Sequence, residues 1–204
     1  MKRPMADVAV GALERGVRDP GGETPGPRRV HLDEGPVAAD TWTDGDLGFV
    51  LLLHRRDDGF AAGEVYSSLK GEDHRWTEAE HLSGGVVGFD IEDPSAVERI
   101  LSGALLLVLS ESESRVFTGH SGDDGDELVR LYEILVSSTV GALRIERNGP
   151  VRESGPAVFR KSLTSCAAVV AVRPGERLRV VPVQRGGSAS PAVSHGLDLF
   201  SASE

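Results

Sequence analysis

Hydrophobic positions in this chain recur mostly with a period of two, the spacing of a pleated strand. Leu47, Phe49, Leu51 and Leu53 alternate on one face, while Val50 and Leu52 make the other face apolar too. A strand apolar on both sides belongs at the centre of a covered sheet. Arg55-Arg56-Asp57-Asp58-Gly59 reads as a turn into a second strand near Phe60 to Ser67. A third strand is expected over His74 to Leu82 with Trp76 as anchor. Ser83-Gly84-Gly85 should break it, leaving Val86 to Ile91 as a fourth strand in an antiparallel meander.

Asp93-Pro94-Ser95 opens a predicted helix to Leu101, with Asp93 as cap, Pro94 at the first helical position and Gly103 beyond the end. Ala104 to Leu109 is expected as a buried strand, pairing with Arg115 to Thr118 across an acidic Ser/Glu turn. Leu128 to Val136 fits a helix or a strand, and its β-rich neighbours favour the strand. Val140 to Arg147 ends in Asn148-Gly149, a strong hairpin signal, with Pro150 directly after it. Ala157 to Leu163, Ser165 to Arg173 and Arg177 to Val183 complete the strands, the last two joined by a type II turn at Arg173-Pro174-Gly175-Glu176. About ten short strands and one helix predict a mainly β fold, an antiparallel β-sandwich or flattened barrel with one or two short helices.

Two segments depart from this pattern. Residues 1–36 hold six Gly, five Pro, six basic and six acidic residues, which predicts a disordered N-terminal arm, with a helical turn around Val8 to Val17 as the exception. Residues 185–204 begin with Arg185-Gly186-Gly187-Ser188-Ala189-Ser190-Pro191 and read as a flexible C-terminal tail around a β domain at 37–184. Within that tail, Gly196-Leu197-Asp198-Leu199-Phe200 is an apolar cluster able either to dock on its own body or a partner, or to stay unbound.

Charge sharpens the picture. The 204 residues carry 22 basic and 32 acidic side chains, a formal charge of −10, which disfavours nucleic acid and anionic membranes as partners. No apolar run approaches the ~20 residues of a spanning helix. The absence of a secretory h-region and a single Cys make a cytoplasmic location the expectation. Residues 37–136 carry 7 basic and 21 acidic side chains, whereas 137–184 carry 8 and 3. Two readings follow: the halves pair their charges across strands, or they leave a basic face on an acidic protein.

Candidate chemistry concentrates in Gly119-His120-Ser121-Gly122-Asp123-Asp124-Gly125-Asp126-Glu127. Asp123, Asp124, Asp126 and Glu127 are four carboxylates on a glycine-rich loop, a donor set suited to Ca²⁺, without EF-hand spacing. Gly119-His120-Ser121-Gly122-Asp123 resembles the nucleophile elbow (G-x-S-x-G) of the α/β-hydrolase family in its first three positions. The resemblance implies a small serine hydrolase using Ser121, with His120 beside it. The closing glycine is replaced by Asp123, and His195, the histidine that follows the serine, lies in the tail. Elsewhere, His74 and His81 are seven apart and should point to opposite faces of a strand, unable to meet His54 without a bulge. Cys166 sits in an apolar run with no basic neighbour before Arg173 and reads as inert core. The pairs Trp42/Trp76 and Tyr66/Tyr132 read as core anchors, with the lining of a ligand groove as the alternative. The function expected is therefore a non-catalytic binding or assembly module without a cofactor, meeting a protein partner or itself through a sheet face or edge. A Ca²⁺ module and a serine hydrolase are the alternatives.

Overall fold

The computed structural model describes residues 4–15, 30–118, 125–148, 158–185 and 196–201. Eleven strands and two helices follow in the order α1 (Met5–Arg15), β1 (Val37–Asp44), β2 (Leu47–Arg55), β3 (Ala61–Leu69), β4 (Glu80–Val86), α2 (Pro94–Leu101), β5 (Leu106–Phe117), β6 (Asp126–Val136), β7 (Val140–Asn148), β8 (Val158–Ser162), β9 (Ala167–Val172), β10 (Arg177–Gln184) and β11 (Leu197–Phe200). All ladders are antiparallel, in three sheets ordered β1-β2-β3-β4, β5-β6-β9 and β11-β10-β7-β8. The sheets pack together as a mainly β, sandwich-like fold. No helix among the described residues is long and apolar enough to cross a membrane.

β2 is the central strand that its sequence predicts. Phe49, Leu51 and Leu53 enter the main core, while Val50 and Leu52 lie under α1 with Ala9, Ala12 and Leu13. That helix overlaps the helical turn expected around Val8 to Val17 and begins earlier, at Met5. Ala9, Ala12 and Leu13 recur at helical spacing and form a small-residue face. It fits closely because Gly48 has no side chain: a Cβ there would lie 2.8 Å from Leu13. Val30 and Leu32 are also buried in the main core.

The layers are joined by a ribbon that changes sheet. β6 pairs with β9 and β7 with β8, yet β6 leads into β7 through Ser137–Thr139 and β8 into β9 through 163–166. Leu135 faces Ala167 and Ala142 faces Ser162, so six residues on one side of the bend oppose four on the other. At two seams, β4 beside β5 and β9 beside β1, side chains replace a ladder among the described residues, and the barrel stays open. At the first seam the Ser114 hydroxyl donates to Leu82 O at 3.5 Å. At the second, buried Asp40 accepts from Val169 N at 2.8 Å and from Lys161 Nζ at 2.9 Å. Lys161 also donates to Thr41 O. Asp40 gives the unpaired strand-edge N–H a partner, and Lys161 balances its charge, as burial of a carboxylate demands.

Other local expectations are corrected. Gly84 and Gly85 lie inside β4 rather than breaking a strand, because a Cβ on Gly84 would meet Gly63 O at 2.9 Å. Trp76 makes an isolated bridge to Lys70, and residues after Val86 turn towards α2. Ser110 to Ser114 is no turn; β5 runs through it as one twelve-residue strand with a register shift between Val108 and Ser110. β7 ends at Asn148 and pairs with β8 from Glu146 opposite Val158, while the hairpin expected at Asn148-Gly149 and Pro150 runs outside the described residues. The segment 197–200 pairs with β10, which is the docked one of the two readings given for the apolar cluster of the tail. The α2 boundaries hold: Asp93 accepts from Ser95 N, and the chain leaves through Ser102 and Gly103 at positive φ.

Candidate functional site

Of the acidic loop, Ser121, His120, Asp123 and Asp124 lie outside the described residues. Asp126 is exposed at the start of β6. Glu127 reaches inward, where its two oxygens accept from Arg173 Nε at 2.9 Å and Nη2 at 2.6 Å. A cation at Glu127 would share it with this guanidinium. Among the described residues, no group of three or more His, Cys, Asp and Glu side chains is placed to hold a metal ion.

Arg173 belongs to a buried charge network of three carboxylates and two guanidiniums. Its Nη1 lies 3.6 Å from Asp44, and its backbone N–H donates to Glu176 Oε2 at 3.2 Å. Arg147 Nη2 donates to Asp44 at 3.2 Å, and its Nε lies 3.7 Å from Glu176 Oε1, too far for a hydrogen bond. Asp44, Arg173 and Glu176 are all buried. Single residues from β1, β6 and β7 meet two from the β9–β10 turn here.

A second cluster lies on the first sheet. β3 pairs with β4 through a register shift between Val65 and Tyr66, and His54 and His81 both face the Glu64 carboxylate. His54 Nε2 lies 2.9 Å and His81 Nε2 3.7 Å from Glu64, and Tyr66 donates to Glu64 at 3.2 Å. Burial, followed by the Glu64 charge, pushes the Tyr66 phenol up to about 12. His74 is instead in a turn at φ +61°. His54 lines an open cleft of about 760 Å³ with Arg55 and Arg56, but Arg55 pairs with Glu92 and Asp33, and Arg56 with Asp58. No Ser, Thr, Cys or Lys stands among those lining residues. Cys166, expected as core, is half-buried against the core, and burial pushes its thiol up to about 11.

The third arrangement is the outer face of β8-β7-β10-β11. Leu143, Ile145, Leu178 and Val180 point inward and are buried. Their neighbours Arg144, Arg177 and Arg179, with Arg160 of β8, are exposed. Arg144 stands directly opposite Arg160, Arg179 opposite Glu146 and Asp198, and Arg177 opposite Asn148 and Phe200. Directly opposed residues share a face. Among the described residues this face therefore carries four arginines against two carboxylates. Arg144 pairs with Glu146 at 2.6 Å, and the Arg177 guanidinium lies 5.3 Å from the Phe200 ring centre. Val158 and Phe200 are exposed at its two flanks. The sequence signalled excess basic charge in this third of the chain; strand register shows which arginines share the outer surface. No protein family, curated protein or solved structure matches the chain.

Proposed function

We propose that this protein is a non-catalytic binding module whose working surface is the outer face of β8-β7-β10-β11, and that its partner is an acidic polypeptide segment. The observation that carries this reading is Arg144 directly opposite Arg160. Like charges opposed across a ladder repel, and a carboxylate-bearing partner relieves that repulsion. Exposed Val158 and Phe200 offer apolar contacts beside the charges. Glu146 and Asp198 interrupt the basic field, which suits spaced carboxylates better than a continuous polyphosphate. The sheet supplies little aromatic stacking for bases, since Phe200 is the one exposed ring on its described outer face.

The test is fluorescence anisotropy with a labelled deca-glutamate peptide at low and physiological salt. Wild type is expected to bind with affinity falling as salt rises, and the Arg144→Glu/Arg160→Glu double variant to bind at least about tenfold more weakly. Equal binding by the double variant, or tighter binding of a mixed-sequence oligonucleotide than of the peptide, overturns the reading.

A further inference from the structure

β11 is held as a bound peptide is held. Its four residues add antiparallel to the outer edge of β10, Leu197 opposite Val180 and Phe200 opposite Arg177. Leu199 inserts into the core and is 2% exposed. On the side away from β10, Tyr132 of β6 serves both backbone groups of Phe200: its hydroxyl donates to Phe200 O at 2.9 Å and accepts from Phe200 N at 3.3 Å. The β9–β10 turn finishes the notch. Ser201 N donates to Glu176 O at 3.1 Å, and Gly175 N donates to Ser201 Oγ at 3.2 Å. The entrance is selective too, because a Cβ on Gly196 would lie 2.8 Å from Val180 O. Backbone pairing, one buried anchor and a size-limited entry are the features of strand-addition recognition.

We infer that the notch formed by the β10 edge, Tyr132 and residues 173–176 is a recognition groove for an extended Gly-Leu-x-Leu-Phe-Ser segment. It is filled in cis by residues 196–201 and is open to the same residues of a second copy of this chain. This deepens the assembly side of the proposed function, since Asp198 and Phe200 border the arginine face and exchange would join two such faces. The second copy is the occupant because it carries the matching sequence, including the glycine that the entrance requires. Residues 185–196, rich in Gly, Ser, Ala and Pro, join the two strands. Short links of this kind hold a segment at millimolar effective concentration, so exchange needs a comparable chain concentration or a weakened cis segment.

Two measurements test this. A labelled Gly-Leu-Asp-Leu-Phe-Ser peptide is titrated into wild type and into Leu199→Asp, which should vacate the groove. The peptide is expected to bind the variant at least about tenfold more tightly than wild type, and Tyr132→Phe in the same background should weaken that binding. A folded Leu199→Asp chain that binds no better than wild type overturns the groove. Should Leu199→Asp not fold, Leu199→Ala is titrated against the same criterion. In the second measurement, ¹⁴N and ¹⁵N wild-type chains are mixed at millimolar concentration and examined by native mass spectrometry. Mixed dimers support exchange, and their absence overturns the second copy as occupant. Neither readout depends on Arg144 or Arg160, so failure here is separable from failure of the arginine face.

Discussion

Arginines of β7 and its neighbours meet two opposite fates. Arg147 and Arg173 turn inward and are matched by Asp44 of β1, Glu127 of β6 and Glu176 of the β9–β10 turn. Arg144 and Arg160 turn outward and face each other. Along β7 only three positions separate Arg144 from Arg147, and the two-residue period of the strand decides which side each takes. Inside, removing one charge leaves its partners desolvated. Outside, water and the Glu146 carboxylate beside Arg144 temper the repulsion, and the face keeps an excess of positive charge for a partner. The same residue type therefore maintains the fold on one side of the sheet and serves as a contact surface on the other.

The contrast can be broken at its inner end first. Arg173→Met should lower unfolding free energy in urea by about 3–5 kcal/mol, because Glu127 loses the guanidinium that binds both its oxygens and Asp44 keeps only Arg147. A smaller loss is expected of Gly63→Ala. A Cβ there would lie 2.8 Å from the buried Glu133 carboxylate, and overpacking of this kind costs about 1–3 kcal/mol. In the Glu133→Ala background the Gly63→Ala penalty should shrink, a coupling that a double-mutant cycle would read.

Glu133 supplies the pH test. Burial raises its pKa from the ordinary glutamate value, against the opposing Ser110 hydrogen bond. The folded state therefore holds this proton more firmly than the unfolded state. Its contribution to stability is most favourable below the ordinary glutamate pKa. That contribution is lost as pH rises through the window up to the raised folded value. Glu133→Gln should thus flatten the pH dependence in that window and stabilise the fold at pH 7 by about 1 kcal/mol, measured by thermal melting at several pH values. The smallest effect belongs to the outer face: Arg160→Gln should raise stability by a few tenths of a kcal/mol by removing the like-charge opposition, while weakening deca-glutamate binding.

Local signals were legible where one segment decides its own conformation. Asp93 with Pro94 specified the start of α2, and Pro174-Gly175 specified a turn in which Gly175 takes φ +78°. The alternation of Leu47 to Leu53 placed β2 at the centre. Legibility failed where a distant segment decides. Gly84 reads as a breaker until β3 lies across it, and the Ser/Glu alternation of 110–114 reads as a turn until β6 pairs with it. The candidate site divides in the same way. The unequal charge of the two halves was visible in the sequence, and both of its readings apply: inward basic residues pair with the acidic half, outward ones form the face. Which residues do which depends on register. Glu127 looked like a metal donor by composition, and its committed partner Arg173 lies 46 positions away.

The ribbon that passes from β6 into β7, and returns from β8 into β9, has a mechanical consequence. Each of its two chains belongs to both layers, so neither layer can peel off while the corner at 137–139 and 163–166 stays intact. Deuterium uptake should therefore proceed at one common slow rate for ladder amides on both sides of that corner, as expected of a single cooperative unit.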